Sequence, residues 1–254
     1  MSLTKLISHQ KYSEIWIKRA DALNCLNSEV IEGLIKCFQS VGSDDRVVFL
    51  RTEGQKSFIA GADIKAMQLM NSEQLLRFAK AAHSLLKVIA NSPYAVIACV
   101  QGVAFGGGME LALGCDLILA SKNAKFSLPE LNLGLIPGFG GTQRLIQRTG
   151  VGFTKRAILT SEHITSEFAY NRGIVDFLVE EKDFDSEIDK LAKLFTAKSL
   201  TSIEAAKKSI NKFYCENLEN GLKFELEQFS HCFNSPDGAE GLKAFIEKRT
   251  PEFK

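Results

Sequence analysis

Much that would signal metal, disulfide or hydrolase chemistry is missing from this sequence. The six cysteines, Cys25, Cys37, Cys99, Cys115, Cys215 and Cys232, form no CxxC pair and no zinc-like spacing. Scattered in this way they predict reduced thiols of a cytoplasmic protein rather than a disulfide framework. The four histidines, His9, His83, His163 and His231, are as dispersed, and no HExxH occurs. Each is read as a structural or exposed side chain, and no metal site is expected. No GxSxG is present, so a nucleophile-elbow hydrolase has no support. The glycine runs fit neither GxxxxGK[ST] nor a GxGxxG followed by an acidic residue on the next strand, which removes the P-loop and dinucleotide fingerprints. An excess of one charge is also absent. Lys and Arg number 31 against 30 Asp and Glu, so no global field draws in nucleic acid or an anionic membrane.

There is no low-complexity tract and no repeat. The most apolar stretch, Tyr94 to Cys115, is interrupted by Gln101, Gly102, the run Gly106-Gly107-Gly108 and Glu110. That pattern predicts a buried strand, a turn and a helix, not a membrane span. The opening MSLTKLISHQKYSEI has no basic segment leading into an apolar one, so no secretory leader is expected.

What is present is the material of a globular core, with 45% hydrophobic and 24% charged residues over 254 positions. Strands are predicted near Leu6–His9 and Glu14–Lys18, the second with Ile15 and Ile17 on one face. A helix follows Asn27, with Val30, Ile31, Leu34, Ile35 and Phe38 on one stripe. Val47–Leu50 is a short buried strand. A long helix begins after Asn71 or Ser72 and ends before Pro93. Ala95–Val100 is a buried strand, a helix opens from the glycine run, and Asp116–Ala120 returns to strand. Buried strands alternating with amphipathic helices predict an α/β fold with a largely parallel sheet. Past about residue 184 the strand patterns stop. Helical stripes follow at Ile188, Leu191, Ala192 and Phe195, then at Leu218, Leu222, Leu226, Phe229 and Phe233, with a short helix over Gly238–Arg249. The division expected is a core over 1–183 and a helical region over 184–254 for packing and oligomerisation.

Three clusters carry candidate chemistry. In Gly106-Gly107-Gly108-Met109-Glu110, a helix start offers backbone N–H groups without intrahelical partners, at the positive end of the dipole. Gly107 and Glu110, three apart, share one helix face, which sets an anion-stabilising N–H beside a carboxylate. In Phe58-Ile59-Ala60-Gly61-Ala62-Asp63-Ile64-Lys65 a second glycine turn offers another N–H, with Lys56 or Lys65 able to meet a phosphate. In Pro129-Glu130, Phe126, Leu128, Leu131 and Leu133 surround a carboxyl that the proline keeps out of a helix interior. Apolar surroundings raise a carboxyl pKa and suit a general acid. Taken singly, each cluster also fits a plain turn, a packing glycine or a solvated glutamate.

Together the segments FIAGADIKAM (58–67), VQGVAFGGGMELALGCDLILAS (100–121) and FSLPELNLGLIPGFGGTQRL (126–145) closely resemble the crotonase, or enoyl-CoA hydratase/isomerase, superfamily. Weaker agreement in ADALNCLN (20–27), EFAYNRGIVD (167–176) and PDGAEGLKAFIEKRTPEFK (236–254) extends the resemblance nearly end to end. It implies a spiral of ββα units with a helical C-terminal region, assembled as a homotrimer or a dimer of trimers. It also implies an oxyanion hole from the N–H groups of Ala62 and Gly107, and catalytic carboxyls at Glu110 and Glu130. The presence of both glutamates selects reversible hydration of 2-enoyl-CoA within the superfamily. Coenzyme A, arriving as part of the acyl-CoA substrate and not as a separate cofactor, is expected along Asp21, Ala22 and Leu23 and the loop Ala60, Asp63, Ile64 and Lys65, with Lys248 reaching it from the C-terminal segment. A 3,2-enoyl-CoA isomerase, needing only the Glu130-type carboxyl, is the alternative within enzymes. A non-catalytic CoA- or RNA-binding protein is the alternative outside them, disfavoured by the balanced charge. The family's early proline is absent from KRADALN, Ser161 stands where glycine is commoner, and Ser199-Leu200 lacks a usual proline. These departures touch loops rather than reacting groups.

Overall fold

The computed structural model describes residues 2–213 and 216–253. The chain opens with an antiparallel hairpin of β1 (Thr4–Ser8) and β2 (Tyr12–Ile17). Ile15 and Ile17 are fully buried, as their alternation predicts. A short 3-10 turn at Ala20–Ala22 leads into two left-handed residues, Leu23 (φ 50) and Asn24 (φ 57). Helix α1 (Ser28–Gln39) starts at Asn27, whose side chain accepts the Val30 N–H. Then follow β3 (Val47–Thr52), β4 (Ser57–Ile59), the short α2 (Ile64–Gln68) and the long α3 (Ser72–Asn91). A capping box of Asn71 and Gln74 starts α3, and it stops two residues before Pro93.

Next come β5 (Ala95–Val100), β6 (Val103–Phe105), α4 (Gly107–Gly114), β7 (Leu117–Ser121) and β8 (Lys125–Ser127). A 3-10 turn at Glu130–Leu133 precedes α5 (Gly141–Thr160), which is interrupted by non-helical backbone at Gly150. The strands end with β9 (Ile164–Thr165), α6 (Ser166–Asn171) and β10 (Phe177–Val179). Helices α7 (Phe184–Thr196), α8 (Leu200–Lys212), α9 (Leu218–Phe233) and α10 (Pro236–Glu247) complete the chain.

The main sheet runs β1-β2-β3-β5-β7-β10, parallel throughout except for β1. A second, small sheet runs β4-β6-β8-β9. The pairs β3/β4, β5/β6 and β7/β8 each give one strand to the large sheet and the next to the small one, and a helix follows each pair. These are the ββα units expected from the resemblance. Both faces of the main sheet are covered, which explains its unbroken apolar runs. Val48, Leu50, Val96, Ala98 and Ile118 meet α1, α3 and α4 on one side, while Val47, Phe49, Ile97 and Leu119 meet Phe184, Ile188 and Leu191 of α7 on the other.

Several elements lie outside the sequence reading: α2, α5, α6, β10, the small sheet and α8. The small sheet was not separable from turns, because its strands have only two or three residues. Helix α8 carries no clear apolar stripe, because it buries Ala205 and Lys207 rather than a row of large apolar side chains. Lys207 holds it in place. Its Nζ donates to Ile89 O (2.8 Å), Ser92 Oγ (2.8 Å) and Tyr94 O (3.0 Å) and lies 2.7 Å from Asp116 Oδ2.

Candidate active site

The small sheet gathers the three candidate clusters at one place. β4 delivers the loop Ala60–Asp63, β6 delivers Gly106 and α4, and β8 delivers Pro129 and Glu130. They surround an apolar cavity of about 600 Å³. Ala60, Ala62, Gly106, Gly107, Glu110 and Glu130 line it, and Met67, Leu75, Phe78, Leu135 and Phe139 supply much of its apolar wall.

The glycines of the run have separate physical roles. Gly106 has φ 49, and a Cβ there would stand 3.0 Å from Glu130 Oε1. A Cβ on Gly108 would come within 2.2 Å of the Ile59 carbonyl oxygen, so that glycine permits tight packing of helix on strand. Gly107, the first residue of α4, keeps a free N–H as helix geometry requires. Ala62 bridges to Leu26, but the bonds of that bridge run from Leu26 N to Gly61 O and from Asp63 N to Leu26 O. Among the described residues, neither the Ala62 nor the Gly107 N–H meets an acceptor.

The two carboxyls differ in surroundings. Glu110 is only 2% exposed, and its Oε1 accepts N–H groups from Phe139 (2.8 Å) and Gly141 (2.7 Å). Burial raises its pKa, opposed by those two N–H groups and by His83 and Arg144. Glu130, at the start of its 3-10 turn, is pushed up to about 7, first by burial and further by the charge of Glu110, against its own backbone N–H. Among the described residues its Oε2, which is buried, meets no hydrogen-bond partner. A carboxyl that titrates near neutrality stands beside one whose Oε1 accepts two N–H groups. Such a pair can give a proton and take one.

Of the residues expected along coenzyme A, Asp21, Ala22 and Leu23 and the loop 60–65 come together. Ala60 N donates to Leu23 O at 3.1 Å, and Arg19 Nη2 lies 2.6 Å from Asp63 Oδ2. Asp63 Oδ1 also caps α2 by accepting the Ala66 N–H, so both of its oxygens are occupied within the chain. Ile64 lines the cavity mouth, and Lys65 is exposed just beyond it. Lys248 lies elsewhere, exposed and left-handed (φ 56) at the end of α10, and does not line the cavity. Composition and spacing did not single out Phe139, Gly141, Arg144 or His83 as partners of the site. Phe139 and Gly141 meet Glu110 through main-chain N–H groups, and the side chains of His83 and Arg144 meet main-chain carbonyls of the same loop, so one partner of each contact leaves no side-chain signature.

Known proteins resemble the chain over nearly its whole length. Residues 9–254 match the family model described as enoyl-CoA hydratase/isomerase. The chain is 36% identical to a short-chain-enoyl-CoA hydratase of Clostridium acetobutylicum, over 95% of this chain and 94% of that protein. It is 34% identical to a crotonyl-CoA hydratase of Syntrophomonas wolfei, over 98% and 96% of the two chains. The crystal structure of an enoyl-CoA hydratase from Bacillus anthracis superposes with a TM-score of 0.95 at 32% identity, covering 99% of each chain. The chain belongs to the enoyl-CoA hydratase/isomerase family.

Proposed function

We propose that this protein adds water reversibly across the 2,3 double bond of a 2-enoyl-CoA, giving the 3-hydroxyacyl-CoA. The observation that carries the reading is a buried Glu110 and a half-buried Glu130 lining one apolar cavity beside two unpartnered N–H groups. The relatives' names point the same way. The thioester oxygen lies against the N–H groups of Ala62 and Gly107. The Glu110 carboxylate takes a proton from water as the water oxygen bonds to C3. Electrons of the double bond move toward the thioester oxygen, where the two donors stabilise the enolate-like charge. Protonated Glu130 delivers its proton to C2. Transfer of the proton from Glu110 to Glu130 resets the pair. The two carboxyls titrate as a unit, so the roles describe the dominant path. The chemistry calls on no metal or redox group.

Around the reacting centre, Asp21, Ala22, Leu23, Ala60, Asp63, Ile64 and Lys65 form the proposed coenzyme A groove, and Lys65 meets phosphate. Lys248 approaches the coenzyme from the C-terminal segment in an assembly of three chains, or of two such trimers. The exposed stripe of Leu218, Leu222, Leu226, Phe229 and Phe233 on α9 supports that assembly. The scattered thiols support the cytoplasm as its compartment.

A second reading draws on Glu130 alone. A carboxyl titrating near 7 with a free oxygen is sufficient to shuttle a proton in a 3,2-enoyl-CoA isomerase. A spectrophotometric assay with 2-enoyl-CoAs and 3-enoyl-CoAs of graded chain length separates the two. Hydration of 2-enoyl-CoA is expected, and protein that isomerises but does not hydrate overturns the reading.

A further inference from the structure

We infer that His83 is a positioning residue for Glu110, acting through the Gly138–Phe139 peptide. This rests on the reading of Glu110 as the carboxylate that activates water. His83 stands on α3, and its Nε2 lies 2.8 Å from the Gly138 carbonyl oxygen. A carbonyl only accepts, so Nε2 carries the hydrogen and the imidazole donates. The following nitrogen, that of Phe139, belongs to the same planar peptide unit. It donates to Glu110 Oε1 at 2.8 Å. The two bonds therefore occupy opposite ends of one amide, and rotating that plane to break one displaces the other.

The local sequence makes such a clamp necessary. Gly138 has no side chain to restrict its peptide, and Gly140 adopts φ 103. Restraint comes from outside the loop. His83 fixes one carbonyl, and Arg144 Nη1 donates to the next, Phe139 O, at 3.2 Å. Phe78, also on α3, packs edge-to-face on the Phe139 ring at 5.2 Å. With the plane fixed, Phe139 N–H and Gly141 N–H converge on a single oxygen of Glu110.

The clamp also has an electrostatic consequence. Donation to the carbonyl end of an amide polarises it and strengthens donation from its N–H end. The charged or titratable groups acting on Glu110 are His83 from α3, Arg144 from α5 and Glu130 from the 3-10 turn. His83 and Arg144 favour the carboxylate, whereas the Glu130 charge opposes it. Loss of His83 removes both the orientation and one of the two favourable side-chain influences.

The experiment compares His83→Ala, His83→Gln and His83→Phe with the full-length protein, each checked for folding by circular dichroism. Hydration of crotonyl-CoA gives kcat, KM and the pH profile. In parallel, infrared difference spectra against Glu110→Gln, recorded without substrate, follow ionisation of the Glu110 carboxyl. His83→Ala and His83→Phe are expected to lower kcat roughly three- to tenfold, the scale of one hydrogen bond, with KM little changed. The acidic limb of the profile and the Glu110 carboxyl titration should both move to higher pH. Gln supplies an N–H donor, so His83→Gln should recover most of kcat. Folded His83→Ala protein with an unmoved Glu110 titration overturns the inference, as does His83→Gln behaving like His83→Ala. The infrared measurement needs no turnover. A chain that fails to hydrate crotonyl-CoA therefore counts against the functional reading, while the titration still decides the clamp.

Discussion

The ring of Phe139 lies 3.0 Å from where a Cβ on Gly107 would stand. The glycine thus leaves a gap between the free N–H of α4 and the loop that donates to Glu110. Proline suits the first position of a helix and removes its N–H, whereas alanine adds the Cβ and retains the donor. Gly107→Pro is expected to lose roughly 10²–10³ in turnover, and Gly107→Ala much less. Steady-state hydration by the two folded variants measures the donor apart from the crowding. Equal losses would show that crowding, not the donor, matters.

Exchange of each carboxyl for an amide tests the pair. Glu110→Gln and Glu130→Gln should each lower hydration by roughly 10²–10⁴. The double variant should lose much less than the product, because both groups act on one water and one substrate. If isomerisation is the reaction, Glu130→Gln alone should abolish conversion of 3-enoyl-CoA to 2-enoyl-CoA.

Glu130 also predicts a pH dependence of stability. Its carboxyl is raised from 4.5 to about 7 in the fold, so folding favours its protonated form. That contribution is fully present below the unfolded value and is lost as pH rises through about 7. Glutamine mimics the neutral acid at every pH. Glu130→Gln should therefore gain thermal stability over the wild type on going from pH 5 to pH 8 in calorimetry. A difference that stays flat across that range would place the Glu130 pKa near its ordinary value.

Lys207 is 9% exposed and bonds three oxygens of the α3–β5 connection besides pairing with Asp116. Lys207→Met takes the cation from Asp116, which keeps only the Val96 N–H on that oxygen, and from carbonyls that keep only their bonds to Ser92. The expected loss is about 3–5 kcal/mol in urea unfolding, typical of breaking a buried pair from one side. A loss below about 1 kcal/mol would mean that water replaces the ammonium group.

Assembly should depend on α9. Leu226→Asp with Phe229→Asp places charge on a stripe whose residues are 67% and 69% exposed in the single chain. Light scattering is expected to report a trimer or hexamer for the wild type and smaller species for the variant. A monomeric wild type at micromolar concentration would remove the assembly proposal.

The sequence by itself determined those features that depend on near neighbours. Helix starts at Asn27 and Asn71 follow from side chains that reach N–H groups three residues on. The buried strands Val47–Leu50 and Ala95–Val100 follow from apolar runs too short for helices. Glu130 was legible because its flanking apolar residues and Pro129 are adjacent to it in sequence. The tertiary structure alone decided how distant groups meet. The sequence left Glu110 open to a solvated reading, and only the return of the 139–141 segment buries it and supplies its two donors, about thirty residues away. Strands of the small sheet are too short to carry a period, and they form because each large-sheet strand delivers its successor to a common edge. Helix α8 is anchored by a lysine, which periodicity assigns to solvent, until the carbonyls of a segment more than a hundred residues earlier surround it. In each case the deciding contact involves a main-chain N–H or C=O, groups that every residue except proline carries in full, so only three-dimensional placement selects it.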